Sequence, residues 1–207
     1  MTRNEENFNP TGELEVWKMY SDGRDPELHF SEHNVITSGL GVGFASLYAG
    51  SGSDSIVDYQ ILNFQVGVGS DSDGDGYGTS TSHLAQPLSA TQYTSEGSQL
   101  RIEDTHKLLV SSNVVTTDTV KLVRIPYSNI QKVTPTSIRY TLVLDVDSCN
   151  HLVGDTGDKL YLNEVGLFMR NPLNLSPPTS VLVAYRPFTG IFKTSAYALV
   201  FKWTLKF

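Results

Sequence analysis

An all-β fold, an antiparallel β-sandwich of the jelly-roll kind with one short helix near residues 36–49, is what the 207-residue chain predicts. Three observations carry that expectation. The last ten residues, ALVFKWTLKF, alternate strictly, with Leu199, Phe201, Trp203, Leu205 and Phe207 on one face and Val200, Lys202, Thr204 and Lys206 on the other. A strand with five large apolar side chains on one face requires a second layer, since burying each is worth roughly 1.5–3 kcal/mol. Further β-branched runs recur at short intervals with turn residues between them. Finally, a hydrophobic fraction of 39% with ten tyrosines and nine phenylalanines is enough for a substantial core.

Taken in order, residues 13–20 (ELEVWKMY) alternate as a first strand, with Leu14, Val16 and Lys18 on one side and Trp17 and Met19 on the other, ending at the turn Ser21-Asp22-Gly23. Leu28 to Phe30 continue a hairpin, so residues 1–33 read as an N-terminal hairpin or arm on a single domain spanning 1–207. From residue 34 the period changes. Leu40, Phe44, Leu47 and Tyr48 fall at helical spacing, with Thr37 or Ser38 as cap and Gly50 as stop. Glycines 39, 41 and 43 oppose that helix by roughly 1 kcal/mol each against alanine.

Residues 58–68 return to strand chemistry and lead into a Gly/Ser/Asp-rich loop region over 69–95. Residues 107–115 and 120–127 read as two strands of a hairpin about Thr116-Thr117-Asp118. Residues 137–147 place Ile138, Tyr140, Leu142, Leu144 and Val146 on one face, the mark of a half-buried antiparallel strand. Residues 160–170 bring Tyr161, Val165, Leu167 and Met169 together, and residues 181–185 form a strand after the Pro177-Pro178 break.

Charge and composition narrow the function. A net charge of −7 with 15 basic residues argues against a nucleic-acid groove, which needs a cationic field to displace counterions. The sequence holds no run of about 18 apolar residues for a membrane helix. The opening residues lack the apolar core of a signal peptide, so the expectation is a soluble protein made in a cytoplasm. A single cysteine, Cys149, supports no internal disulfide, and reads as a small side chain near a strand end.

Two strings invite a chemical reading. His29-Phe30-Ser31-Glu32-His33 fits the H-x-x-E-H pattern of inverted zinc peptidases, whose histidines meet on one face only within a helix. The flanking residues read as strand or turn, so a solvated turn is the favoured reading and a zinc peptidase the remote alternative. Asp71, Asp73 and Asp75, followed by Gly76, resemble the first half of a calcium loop. Ser82 stands where the bidentate glutamate belongs, so a Ca2+ cofactor is a candidate and a bare acidic loop the expectation. The glycines at 39, 41 and 43 and at 67 and 69 match neither dinucleotide nor phosphate-loop spacing. His83, His106 and His151 carry no local catalytic signature, so no catalytic residue is assigned.

Two stretches resemble a known group. The segments TGELEVWKMYSDGR, HNVITSGLGVGFASLYAG and DYQILNFQVGVGSD resemble the opening of phage tail and neck-associated structural proteins. LYLNEVGLFMRNP and VLVAYRPFTGIFKTSAYALVFKWTLKF are similar to their closing β region. The matching residues are Asn34, Ile36, Thr37, Asn163, Glu164, Gly166, Leu167, Phe168, Lys193, Thr194 and Trp203. The resemblance implies a non-enzymatic virion component of the tail, baseplate or neck, assembling with itself and with other virion proteins.

Read physically, Gly166 suits a bulge or close backbone approach. Asn163 and Glu164 suit bonds to backbone groups at a turn, and Lys193-Thr194 shapes the turn before the last strand. The alternative is a receptor- or carbohydrate-binding module on the virion, using the Tyr- and Ser-rich loops between residues 70 and 95 to meet a host surface. Neither reading calls for nucleic acid or membrane.

Overall fold

A computed structural model describes residues 10–50, 54–67, 107–108, 123–152, 159, 161–174 and 180–207. Among the described residues, eleven strands build two antiparallel sheets. The first, of five strands, has the order β2-β1-β11-β8-β7: Glu27–His33, Thr11–Tyr20, Tyr197–Lys206, Ser137–Leu144 and Ile130–Thr134. The second has the order β3-β10-β9-β4-β5: Val35–Ile36, Val181–Ile191, Leu162–Met169, Ile61–Gly67 and Lys107–Leu108. β6, Val123–Arg124, also pairs with β4. The one α-helix among the described residues, α1, is Ser38–Ala49, within two residues of its expected start.

The predicted closing strand is the centre of the first sheet. β11 pairs along its whole length with β1 on one side and for eight residues with β8 on the other, setting Trp203 between Leu14 and Tyr140. Leu199, Phe201, Trp203 and Leu205 are fully buried and join Leu14, Val16, Leu142 and Leu144 in one core with Phe64, Val66, Val165, Leu167 and Met169 of the facing sheet. Ring contacts cross between layers: Phe188 of β10 lies 5.8 Å from Phe201 and 6.2 Å from Phe30. Phe207 extends the apolar face beyond the strand and packs against Phe44 of α1.

Local chemistry explains where strands differ from the sequence expectation. β8 ends at Leu144, short of the expected 147, because the Asp145 carbonyl accepts the Ser148 N–H at 3.0 Å and turns the chain. β10 runs on through Pro187 to Ile191 rather than stopping at 185. Proline is tolerated there because the register with β9 breaks between Pro187 and Ile191, where no ladder donor is needed. Asp58 and Tyr59 belong to a 3-10 turn, Ile56–Tyr59, and the strand β4 begins only at Ile61. Of the two runs expected over 107–127, β5 and β6 each pair with β4; the remainder, including Thr116-Thr117-Asp118, lies outside the described residues. Tyr127 falls in a 3-10 turn, not a strand.

The glycines of α1 have opposite environments. A Cβ at Gly39 would overlap the Leu182 carbonyl and one at Gly43 would sit 2.5 Å from the Met169 sulfur, whereas at Gly41 it would meet open space. Gly39 and Gly43, one turn apart, therefore let the helix backbone rest on the ends of β9 and β10, while Leu40 enters the core. Thr37 is the N-cap residue, yet its hydroxyl makes no cap bond. It donates to the Leu182 carbonyl at 2.6 Å, and its N–H donates to Val183 at 3.1 Å, continuing the β3–β10 ladder into the helix start.

Candidate functional site

The residues singled out by sequence do not converge on one pocket. The H-x-x-E-H string lies in β2, an extended strand, which corrects the expected turn. Side chains four apart on a strand are separated by roughly 13 Å, so His29 and His33 cannot share a zinc ion as they would on a helix. His29 Nε2 donates instead to the Thr189 carbonyl at 3.0 Å, His33 is exposed opposite Glu13, and Glu32 pairs with Arg186. Among the described residues no group of three or more His, Cys, Asp or Glu side chains is placed to hold a metal. Asp71, Asp73 and Asp75, and the 70–95 loops of the receptor reading, lie outside the described residues.

Asn163, Glu164 and Gly166 fall within β9, not in a turn. All eight residues of this strand are buried, as expected of a strand covered on both faces. Glu164 is fully buried and accepts the Tyr185 hydroxyl at 3.1 Å. A Cβ at Gly67, its direct cross-strand partner, would overlap that carboxylate. Gly166 sits in regular register between Gln65 and Tyr185, so it marks no bulge. Leu167 faces the main core, while Phe168 joins Val181, Leu182 and Tyr185 in a smaller cluster on the other side of the sheet.

Asn34 ends up against Gly12, whose missing Cβ makes room for the amide, and its backbone N–H donates to the Gly12 carbonyl at 3.0 Å. Ile36 lies in β3 beside the core. Lys193 is only 1% exposed, yet its ammonium is surrounded by oxygen. Nζ donates to the carbonyls of Asp145 at 3.0 Å and Thr194 at 3.1 Å and to the Asn150 side-chain oxygen at 3.0 Å, with the Tyr197 ring 5.6 Å away. Burial pulls its pKa down to about 8, against the opposing pull of nearby Cys149, Asp147 and Asp145. Around it the turn holds Cys149 and His151 at positive φ, 56° and 53°. This is the geometry of a clamp on a turn: every donor of the amine is used in holding the backbone and its neighbours.

Two clefts accompany these nodes. One, about 450 Å³, is polar and lined by Glu13, Ser31, Glu32, His33 and Arg186 beside the edge strand β2. The other, about 280 Å³, is apolar and opens at the end of the sandwich under α1, among Leu40, Phe44, Tyr59, Ile138, Met169 and Phe207.

Compared with models of known protein families, with characterised proteins and with solved structures, the chain matches none.

The feature that sequence reading missed is the outer face of the five-stranded sheet. Register aligns Leu28, Trp17, Val200 and Val143 in one row across β2, β1, β11 and β8. Leu28 is 47% exposed, Val143 38% and neighbouring Met19 41%. Single exposed apolar side chains are ordinary, whereas this row is contiguous across four strands. Trp17 and Val200 each stand out as outward-facing from alternation alone; only the pairing register shows that they adjoin.

Proposed function

We propose that the chain is a non-enzymatic structural component of a phage virion, in the tail, baseplate or neck, that works by assembling with copies of itself and with other virion proteins. The observation that carries this reading is the apolar row Leu28–Trp17–Val200–Val143 on the open face of the first sheet, which a protein acting alone has reason to cover with polar side chains. The polar and ionic groups described above support it from the other side. Lys193, Glu164, Thr37 and Arg186 are engaged with neighbouring backbone or side chains, as members of a rigid scaffold are. The order of the N-terminal and C-terminal motifs, quoted above for their likeness to tail and neck proteins, supplies the setting.

Density-gradient fractionation of a phage lysate, followed by immunoblotting, tests the proposal. The chain is expected to band with intact particles; recovery only in the soluble fraction contradicts it.

A further inference from the structure

The outer face of the five-stranded sheet is polarised across the seam between β1 and β11. On the β1 side stand Glu13 and Glu15, and on the side of β11 and β8 stand Lys202, Lys206 and Arg139. Glu15 is the direct cross-strand partner of Lys202, and Trp17 of Val200, so acid and base lie at one height along the strands and ring and aliphatic at the next. The two rows are already tied together: Trp17 Nε1 donates to Glu15 at 2.8 Å, Lys202 Nζ lies 4.7 Å from the Trp17 ring, and Lys206 pairs with Glu13 at 3.1 Å.

A two-fold axis running parallel to the strands, midway between β1 and β11, exchanges the two halves of this face while keeping every residue at its own height. It would lay Trp17 on Val200 of a second copy and Val200 on the second copy's Trp17. Glu15 would then oppose Lys202, and Lys202 would oppose Glu15, on the two sides of the interface. We propose that this face is a self-complementary docking surface whose occupant is a second copy of the same chain, packed sheet on sheet about that axis. The inference rests on the assembly reading and names its partner and surface.

One physical requirement is met by the pairing register. An isologous interface needs a patch that satisfies itself under rotation, and here Trp17 meets Val200, Leu28 meets Val143 and Glu15 meets Lys202, while Arg139 comes opposite His33 and Lys206 opposite Thr11. The overlap is modest: about that axis β2 faces β8 and β1 faces β11, so four strands at about 4.8 Å and roughly eight residues at about 3.3 Å give an area of roughly 500 Å², below the roughly 600–1,000 Å² per partner of the most stable complexes and in the range of a weaker, reversible dimer. Sheets packed this way align within about 30°, which their own twist provides.

Light scattering of purified full-length chain after size exclusion tests the proposal through charge reversal in mixtures. The wild type is expected to form a dimer. Glu15→Lys and Lys202→Glu, each alone, place like charges across the axis and should weaken self-association tenfold or more. Mixed one to one they should recover a heterodimer. The first variant then presents a base at both positions and the second an acid at both, so each contact across the axis joins a base to an acid. Val143→Glu, on an exposed site that leaves the core untouched, should also yield monomer with unchanged circular dichroism. A wild type that stays monomeric, an oligomer that survives Val143→Glu, or folded single variants that fail to recover on mixing would each overturn the interface. Gradient fractionation reads particle association independently, so a particle-bound chain that fails these tests refutes this surface and not the virion role.

Discussion

Lys193 and Asn150 lock each other in place: the Lys193 ammonium donates to the Asn150 side-chain oxygen at 3.0 Å, and Asn150 Nδ2 donates in turn to the Val146 carbonyl at 2.6 Å. The pair ties the turn after β8 to the segment entering β11. Lys193→Met keeps the bulk of the stem but leaves the Asp145 and Thr194 carbonyls and the Asn150 oxygen without their donor. The expected cost is about 3 kcal/mol, read as a lower urea midpoint at unchanged slope.

The same lysine predicts a pH signature. Its pKa falls from 10.5 to about 8 on folding, so between those values the unfolded chain holds a proton that the folded chain has lost, and stability from this group rises with pH. Tyr197 acts oppositely. Burial first, then Tyr20 and Glu27, push its hydroxyl from 10.0 up to about 12, so the unfolded chain deprotonates first and stability falls above about 10. Unfolding free energies should rise between about pH 7 and about pH 9.5, level off at about pH 11 where the two groups oppose each other, and fall toward about pH 12. Lys193→Met should lack the rising limb and keep the falling one.

The helix glycines give a sign test. Helix propensity alone assigns both Gly39→Ala and Gly41→Ala a gain of roughly 1 kcal/mol. Space decides otherwise: Gly41→Ala should stabilise by about that amount, whereas Gly39→Ala must push α1 off the Leu182 carbonyl and should destabilise. Thermal unfolding of the two variants side by side checks the prediction, which fails if both shift the midpoint upward.

Trp203 is fully buried, and its indole N–H has no hydrogen-bond partner among the described residues. Trp203→Ala should cost about 3–5 kcal/mol through the cavity it opens. Trp203→Phe should cost much less than that, since it removes an unsatisfied donor together with the lost volume. Chemical denaturation of both variants would contradict the account if they were equally destabilised.

How far the sequence was legible depends on the range of the information. Period-two alternation at residues 199–207 identified the inward face of β11, because each side chain there has a single neighbourhood to satisfy. The helix and its end at Gly50 were legible for the same local reason. What could not be read was pairing. Nothing in the N-E-x-G-L-F string reveals that Glu164 lies in a strand across from Gly67, or that Tyr185 reaches it. Nor could Trp17 be joined to Val200, since the two are set side by side by a contact between opposite ends of the chain. The His29–His33 string, expected as a solvated turn, extends as a strand, where four residues that would make one helical turn make a long reach.

The claim that matters most is that the open face of the first sheet is covered in the assembled particle. Hydroxyl-radical footprinting reads it directly, because Met19 and Trp17 are reactive side chains on that face, and Tyr48, 86% exposed on α1, serves as the reference. Relative to Tyr48, oxidation of Met19 and Trp17 should fall several-fold between the monomeric Val143→Glu chain and purified wild-type particles. Equal labelling of both residues in the two states would contradict it.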